Sequence, residues 1–482
     1  MLARFRAACR PPGPIVRFPY PESRSDVTTN RHLAVENFPC AVAHLGIGGL
    51  TEAVDSSPPS VVGRIPITRQ LCRVENHLSA AQSEDQKMNC ARDFWARFFP
   101  CLLTVILGLI ISALSVSAQT FTVVHDFGAA NDAASPTGAL MLGPRGSLYG
   151  ASQTGGTLGW GTIFEVDPSG QEGVLYSFQA GSDGELPSIS FLDHGSIVGT
   201  TYEGGFNQAG TVFELDSMGG LNVLFSCCTL NQNVGRFPGG AIRGADLNLY
   251  VAMFSGGTGA CYPTGCGTIV ELDQNGSATL VHTFGEVYGD GEFPSATLVR
   301  DASGNLYGAT RVGGASGYGT IFKLSPGGDE TLLYSFRGGA DGAIPSDGLL
   351  IDQNGNFYGA TSHGGIYGSG TVFEVTEAGE HLVLYNFKGS DGAQPIWGVT
   401  MDSQGNLYGA ASQGGAYNKG TIFKLKPNGQ FTVLHDFTGE SDGAFPESVL
   451  LANGALYGIT YRGGAYRWGT LFRLLPTGRS GL

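Results

Sequence analysis

The chain at residues 304–322 reads GNLYGATRVGGASGYGTIF, and this stretch decides the fold because it recurs seven times. Self-similarity at a fixed period indicates stacked supersecondary units rather than one irregular core. The tyrosine of the motif, or the residue in its place, returns every 49 to 57 residues, at Tyr149, Val198, Tyr250, Tyr307, Tyr358, Tyr408 and Tyr457.

Each repeat contains four short apolar runs bounded by Gly, Asn, Asp or Pro, which is the pattern of β-strands. In one repeat these runs cover residues 331–336, 348–352, 356–361 and 370–375. Asn354 and Gly355 between two of the runs are a strong hairpin signal. Four strands in a unit of about 50 residues match a propeller blade. We therefore predict an all-β, seven-bladed β-propeller with four-stranded blades.

The outermost strand of the repeat is offset from the other three. Its first copy, residues 121–127, precedes the first tyrosine motif, while the last repeat, residues 446–474, supplies only three strands. We predict that the N-terminal strand completes the last blade, because closing the ring removes two exposed sheet edges. The alternative is an open solenoid with frayed ends.

Charge is unevenly distributed along a chain whose formal net charge is −14. Residues 1–118 contain 12 basic and 9 acidic side chains, whereas residues 119–482 contain 15 basic and 32 acidic ones. An acidic repeat region repels phosphate backbones, so we expect no nucleic-acid partner.

The N-terminal quarter of the chain shows no repeat. Residues 1–87 carry no apolar periodicity, and we predict that they are unstructured and that translation begins at Met88. Residues 88–118 have the pattern of a signal peptide: basic residues, an apolar run over residues 101–114, and small side chains up to Ala118. We predict cleavage after Ala118 and a secreted or extracytoplasmic monomer formed by residues 119–482. A permanent anchor is the alternative, but the run is shorter than the roughly 20 residues that span a bilayer.

The motifs GNLYGAT, GG, GTIFKL and TLLYSF, followed by a loop with Asp, Gly and Pro, resemble the GloVer-type (Gloeo/Verruco) tandem repeat family of secreted proteins. The resemblance covers about residues 121–474. It implies an extracytoplasmic β-propeller-like array and, in many members, a C-terminal surface anchor, but it supplies no catalytic residues. Residues 479–482 carry no apolar tail, so we expect free secretion.

Two sets of loop residues are candidates for ligand binding, and we expect both on one rim of the propeller. Exposed aromatic rings can stack on sugars or anchor a peptide, and carboxylates can bind hydroxyl groups. The candidates are Trp160, Tyr318, Tyr367, Tyr417, Tyr466, Trp468, Asp341, Asp391 and Asp442. The structural alternatives are that each ring packs under the next blade and that each Asp closes its own turn. No loop has the dense ligand spacing of a calcium site, so we expect neither a metal nor a cofactor.

No enzyme motif is present, and we predict no catalytic residue. His125, His282 and His435 lie on outermost strands of different repeats, and HExxH, phosphate-loop and nucleophile-elbow patterns are missing from the sequence. We predict an extracellular binding or structural module with a glycan or protein ligand on the loop rim. The alternative is a hydrolase or lyase that acts on polysaccharide with carboxylates at the central channel.

Four cysteines follow the predicted signal peptide. A bridge between Cys261 and Cys266 is the first choice, because both lie in one insertion and an oxidising compartment permits bonding. Bridges to Cys227 or Cys228, or reduced thiols, remain open.

Overall fold

The computed structural model describes residues 120–227, 234–259, 261 and 264–476. These residues form seven antiparallel sheets, which confirms the all-β, seven-bladed propeller. Short 3-10 turns occur at Pro144–Gly146 and Gly339–Asp341, and within the described ranges no helix is long and apolar enough to cross a membrane. The predictions for residues 1–87 and for the signal peptide at 88–118 fall outside the described residues.

Blades 1 to 3 each contain four strands, which follow one another in the sheet in chain order. Their bounds are β2 (Ala133–Leu142), β3 (Leu148–Gly155), β4 (Thr162–Val166) and β5 (Glu172–Ser177); β6 (Glu185–Asp193), β7 (Ser196–Glu203), β8 (Thr211–Leu215) and β9 (Leu221–Ser226); and β10 (Arg236–Arg243), β11 (Leu249–Ser255), β12 (Thr268–Leu272) and β13 (Ala278–Thr283).

In blades 4 and 5 the first strand is split into two segments, and in blade 6 it is short. Their bounds are β14 (Gly291–Pro294), β15 (Val299–Arg300), β16 (Leu306–Gly313), β17 (Thr320–Leu324) and β18 (Glu330–Ser335); β19 (Ala343–Pro345), β20 (Leu350–Ile351), β21 (Phe357–His363), β22 (Thr371–Val375) and β23 (His381–Asn386); and β24 (Thr400–Met401), β25 (Leu407–Ala411), β26 (Thr421–Leu425) and β27 (Phe431–Asp436).

Blade 7 contains both ends of the propeller. It consists of β28 (Ala444–Ala452), β29 (Ala455–Arg462), β30 (Thr470–Leu475) and, as its outermost strand, β1 (Thr120–Asp126). The register pairs Val123 with Phe472 in antiparallel orientation. The predicted closure by the N-terminal strand is therefore confirmed, and it covers the edge that β30 would otherwise expose.

The LYGA motif lies on the second strand from the axis and is packed on both faces. Leu306 and Phe322 are buried on neighbouring strands of blade 4. The Phe322 ring lies directly over Gly308, where an added Cβ would approach Phe322 Cζ to 2.6 Å. The glycine of the motif is thus explained by the large ring that crosses it.

Adjacent blades are joined by one repeated contact. The glycine before the third strand packs against the proline that begins the next blade, as Gly319 does against Pro345, and Gly469 makes the same contact with Pro136 across the closure. The residue before that proline donates its N–H to a carbonyl of the preceding blade. Six such bonds run from Ser135 to Trp468, Phe237 to Ala209, Phe293 to Cys266, Ile344 to Tyr318, Gln394 to Ser369 and Phe445 to Lys419.

The first strand of blade 5 differs from the predicted run of residues 348–352. It is split into β19 and β20, because Ser346 to Gly348 leave the sheet and meet blade 6. Asp347 forms a bridge with Trp397, and Gly348 adopts a φ of +96° in contact with Gly398. The hairpin predicted at Asn354 is present, since β20 pairs with β21.

The described cysteines lie in repeats 2 and 3, and repeat 2 also has Val198 in place of the motif tyrosine. In the other blades a buried phenylalanine follows the outer strand directly, such as Phe336, whose N–H donates to the carbonyl of Gly319. In blade 2 Cys227 takes that place, is buried, and makes the equivalent bond to Gly210. In blade 3 Cys261 and Cys266 form a disulfide with an S–S distance of 2.03 Å.

Candidate functional site

The glycine-rich loops between second and third strands lie beside the Asp loops, which connect each outermost strand to the next blade. Backbone hydrogen bonds join the two kinds of loop directly: Gly365 donates to Gly339 at 2.7 Å, and Gly464 donates to Glu440 at 2.7 Å. Both loop types therefore lie on one face of the propeller. We call this face, with its glycine-rich loops 155–161, 204–210, 313–319, 364–370, 414–420 and 463–469, the loop rim.

Three tyrosines occupy the same turn position in consecutive blades. In blade 5 the turn around Tyr367 is closed by a hydrogen bond from Gly368 to Gly365, and the N–H of Ile366 donates to the Asn386 side chain. The same turn and the same kind of side-chain cap hold Tyr417 in blade 6 and Tyr466 in blade 7. The sequence forms these turns because the flanking glycines tolerate positive φ.

Trp160, Tyr318 and Trp468 share a second position, directly before the third strand. Their backbone belongs to the blade junction, since the carbonyls of Tyr318 and Trp468 accept the bonds from Ile344 and Ser135. Trp468 also packs on Gly128, where an added Cβ would lie 2.5 Å from its Cδ1. Tyr318 packs on Gly338 in the same way, at 2.6 Å. One side of each of these two rings is thus fixed by a glycine of an Asp loop.

The six predicted rim aromatics are between 44% and 59% exposed. A tyrosine in the body of a blade, such as Tyr408, is only 3% exposed. The rings are therefore neither free in solvent nor buried beneath the next blade. The structure places these residues on one rim, and each is partly exposed to solvent.

The three predicted aspartates have partners within their own loops. Asp341 accepts hydrogen bonds from the Arg337 N–H and from the Tyr334 hydroxyl, both at 2.7 Å. Asp391 does the same with Lys388 and Tyr385, and Asp442 accepts from the Thr438 N–H. Burial, and next the hydrogen bond to Asp341, raises the pKa of Tyr334 above its ordinary value. Closing the loop is a sufficient structural role for these carboxylates.

The alternative prediction was an enzyme with carboxylates at the central channel. Asp347 accepts from the Ala296 N–H at 3.0 Å and pairs with Arg311 at 3.1 Å. Glu447, on the first strand of blade 7, accepts from the Gly138 N–H at 3.2 Å and from the Thr137 hydroxyl at 3.0 Å. Both carboxylates bind backbone N–H groups of a neighbouring blade, so each has a part in joining the blades.

Two glutamates that the sequence analysis did not select lie beside two of the outer-strand histidines. Glu172 is 2.8 Å from His125 Nε2, and Glu330 is 3.4 Å from His282 Nε2. Burial, followed by the nearby Glu330 carboxylate, raises the pKa of Asp290 to about 6. These pairs could have been found in the sequence, because each glutamate begins the outer strand one repeat after the strand that carries the histidine. The pattern becomes visible only when consecutive repeats are compared.

A family model for the Gloeobacter/Verrucomicrobia repeat matches three overlapping segments, residues 108–301, 191–402 and 347–480. Together these segments cover all the described blades. The chain belongs to the Gloeobacter/Verrucomicrobia repeat family. Family membership confirms the resemblance seen in the sequence, and it adds no catalytic residue to the site of this repeat protein.

Several solved structures match this chain at low sequence identity. The extracellular domain of BT4673 from B. thetaiotaomicron is 9% identical and matches 73% of this chain and 40% of its own, with a TM-score of 0.47. The gluconolactonase XC5397 from Xanthomonas campestris is 14% identical, with coverages of 65% and 89% and a TM-score of 0.38. The PQQ-bound aldose sugar dehydrogenase from Streptomyces coelicolor is 14% identical, with coverages of 74% and 98% and a TM-score of 0.38. At these identities and TM-scores, the activities of these proteins are not assigned to this chain. A comparison with curated proteins found no match.

Proposed function

We propose that this β-propeller repeat protein is an extracellular binding module whose loop rim binds a neutral glycan. The observation that carries the proposal is the set of rim aromatics, Trp160, Tyr318, Tyr367, Tyr417, Tyr466 and Trp468, each between 44% and 59% exposed. Partly exposed Trp and Tyr rings combine an apolar face with a polar tip, which suits the faces and hydroxyl groups of sugars.

Several rim aromatics stand on loops whose backbone is fixed by hydrogen bonds in the protein itself. Tyr367, Tyr417 and Tyr466 sit in hydrogen-bonded turns, and Trp468 is fixed by its carbonyl and by its contact with Gly128. A rigid ring loses little conformational entropy on binding. Three tyrosines at the same turn position in consecutive blades form a repeated series, which suits a polymer of repeated sugar units better than a single small molecule.

An open cleft at the junction of blades 7 and 1 adds a concave element to the rim. Its volume is about 240 Å³, and its lining includes Trp468, Asn131, Asp132 and Thr154. An aromatic wall with polar groups around it is the usual composition of a site that binds a small part of a larger ligand.

The charge of the repeat region favours an uncharged ligand. Residues 119–482 contain 32 acidic and 15 basic side chains. A negative potential of this kind disfavours uronic acids, sulfated sugars and nucleic acids. We therefore favour neutral glycans over anionic ones.

Secretion is part of the proposal and rests on the sequence pattern of residues 88–118. The disulfide between Cys261 and Cys266 fits an oxidising compartment. Sequencing the N-terminus of the exported protein tests this part separately: we expect Gln119 as its first residue, and a peptide from residues 1–87 would contradict the proposed start at Met88.

The binding proposal is tested on an array of neutral glycans, anionic glycans and peptides. We expect wild-type protein to retain one class of neutral glycan, and we expect the triple variant Tyr367→Ala, Tyr417→Ala and Tyr466→Ala to lose that retention. Tyr408→Phe, a change in the body of blade 6, is the matched control and keeps it. If the folded wild-type protein binds none of the neutral glycans, the proposal is overturned. Binding to peptides alone would assign the rim to a protein partner.

A further inference from the structure

The outer strands of neighbouring blades meet through three recurring positions. The first is the aromatic residue near the end of an outer strand, the second is the Asp of the loop that follows, and the third is the residue that begins the next outer strand. In three junctions the third residue is a ring that stacks on the first. The pairs are Tyr334 with His381, Tyr385 with Phe431 and His435 with Phe121, with ring centroids 4.3, 3.8 and 3.8 Å apart.

Two junctions replace the stacked ring with a glutamate, and both have histidine at the first position. Between blades 7 and 1 the three residues are His125, Asp132 and Glu172. Between blades 3 and 4 they are His282, Asp290 and Glu330. In each group one ligand atom from every side chain lies within 4.8 Å of the other two. We call these groups the first and second His-Asp-Glu clusters.

The clusters are largely shielded from solvent, and not all of their polar atoms have hydrogen bonds. The Glu172 side chain is only 4% exposed, and among the described residues its Oε2 has no hydrogen bond besides the ion-pair contact with His125 Nε2 at 2.8 Å. In the second cluster His282 Nε2 and Glu330 Oε1 are also buried and have no hydrogen bond within the part of the chain that the structure describes. A buried polar atom without a partner is costly, and two carboxylates beside one imidazole keep a net negative charge even when the imidazole is protonated. A bound cation would remove both costs.

The spacing of the ligand atoms agrees with coordination of a small metal ion. Bonds of roughly 2.0–2.2 Å in a tetrahedral site place neighbouring ligand atoms about 3.3 Å apart. His125 Nε2 is 3.3 Å from Asp132 Oδ2, and His282 Nε2 is 3.4 Å from Glu330 Oε2. The distance from His125 Nε2 to Glu172 Oε2 is 2.8 Å, so this pair would have to move apart slightly when an ion binds. One imidazole nitrogen with two carboxylate oxygens is a ligand set of Zn²⁺ and related transition-metal dications.

Backbone groups orient the carboxylates from behind. Asp132 accepts hydrogen bonds from the N–H groups of Gly128 and Ala133, and Glu172 Oε1 also accepts from Ala133. Contacts of this kind hold metal-binding carboxylates in position. Asp132 and Glu172 line two different open clefts, so an ion can reach the first cluster from solvent.

We propose that the two His-Asp-Glu clusters are binding sites for a transition-metal dication, which joins blade 7 to blade 1 and blade 3 to blade 4. This goes beyond the sequence prediction, which expected no metal. The first site lies at the ring closure, since His125 belongs to β1 while Asp132 and Glu172 belong to the first blade and the loop leading to it. The expected consequence of occupancy is a more stable closure, because the ion binds only when the two chain regions are together.

Zinc titration of the full chain tests the proposal, after removal of any purification tag and dialysis against a chelator. We expect wild-type protein to take up two more Zn²⁺ ions per chain than the double variant Glu172→Gln and Glu330→Gln. Each single variant should lose one ion, with its site weakened by about tenfold or more. Zn²⁺ should raise the unfolding midpoint of wild-type protein and not that of the double variant.

His435→Gln is the matched control, because its junction has Phe121 in place of the glutamate. It should leave zinc uptake unchanged, and wild type and the Glu172 and Glu330 variants all keep the histidines outside the clusters. If a glutamine variant is misfolded by circular dichroism, Glu172→Leu replaces it, since Leu221 begins the equivalent strand of blade 2. A folded variant that binds as much zinc as wild type overturns the site it alters, and a wild-type protein without saturable zinc uptake overturns both.

Discussion

Tyr408 and Tyr417 lie nine residues apart in blade 6, and their surroundings differ completely. Tyr408 is buried in the body of the blade, and its hydroxyl donates to Asp402 at 3.0 Å. Tyr417 lies on the loop rim and is 59% exposed. Tyrosine thus has a structural role in the strands of the blade, which are alike in all repeats. It has a proposed binding role in the rim loops, which differ between repeats.

The contrast between body and rim tyrosines recurs in other blades of the propeller. Body tyrosines bind the carboxylate of a turn, as Tyr307 does with Asp301 and Tyr358 with Asp352. The rim aromatics instead stand in two fixed loop positions with part of each ring open to solvent. Changes in the body should therefore alter stability, and changes on the rim should alter binding.

The largest effect on stability is expected from a buried ring in the body of blade 6. Phe423 is fully buried beside Phe387 and Phe431. Phe423→Ala should lower the free energy of unfolding by about 3–5 kcal/mol, because it leaves a cavity. Urea unfolding followed by fluorescence measures this. A loss as small as that of Tyr417→Ala in the same blade would remove the distinction between body and rim.

The blade junction should be the next most sensitive place. Gly319 has a φ of +97°, and an added Cβ would press on the Thr310 carbonyl and on Pro345 of the next blade. Gly319→Ala should cost about 2 kcal/mol or more, because an unfavourable backbone conformation and overpacking add together. Thermal and urea unfolding report it.

Gly317→Ala is the matched control for this substitution. Gly317 also has a positive φ, of +79°, but an added Cβ would meet no atom within 4 Å. It should lose only about 1–2 kcal/mol, the cost of the backbone conformation. Equal losses in the two variants would mean that the contact with Pro345 contributes nothing.

The hydroxyl of a body tyrosine should have a smaller effect. Tyr408→Phe keeps the ring and removes the hydrogen bond to Asp402. We expect a loss of about 0.5–1.5 kcal/mol in the free energy of unfolding. Tyr417→Phe on the rim should not change this quantity measurably, and a loss equal to that of Tyr408→Phe would place both hydroxyls in structural roles.

Alkaline pH probes the same hydroxyl groups without mutation. Burial, followed by nearby carboxylates, raises the pKa of Tyr176 and of Tyr358 to about 12, above the value of about 10 in an unfolded chain. The stability from these groups is fully present below pH 10 and is lost as pH rises from about 10 to about 12, because the unfolded chain releases its protons first. Unfolding at several pH values should show this decrease. Tyr358→Phe should make it shallower, and an unchanged slope would contradict the assignment.

The propeller of seven blades was predictable from the sequence, because the strand and turn motifs that indicate it are local and repeated. The offset of residues 121–127 relative to the tyrosine motif was enough to predict the closure that the pairing of β1 with β30 confirms. The split first strand of blade 5 was not predictable, because it depends on a contact between Asp347 and Trp397 in different blades. The sequence also gave no sign of the partial exposure of Tyr417 and Trp468, which depends on how neighbouring loops pack.

The His-Asp-Glu clusters show where reading single motifs fails. His125 and Glu172 are separated by a whole repeat and meet only because outer strands of adjacent blades face each other. At the equivalent place Phe431 stacks on Tyr385, so the position is defined by the junction and not by either strand alone. Comparing the residue that begins each outer strand between repeats would have distinguished the junctions with a glutamate from those with a stacked ring.

The central claim is that the repeated residues build the ring while the rim aromatics bind the ligand. The most direct test measures the affinity of wild-type protein, Tyr417→Ala and Tyr408→Phe for the glycan that the wild type retains. We expect Tyr417→Ala to weaken binding by about fivefold or more, equivalent to about 1 kcal/mol, with stability unchanged. Tyr408→Phe should be less stable and bind as tightly as the wild type. Wild-type affinity in Tyr417→Ala, or an equal loss of affinity in both variants, would contradict the account.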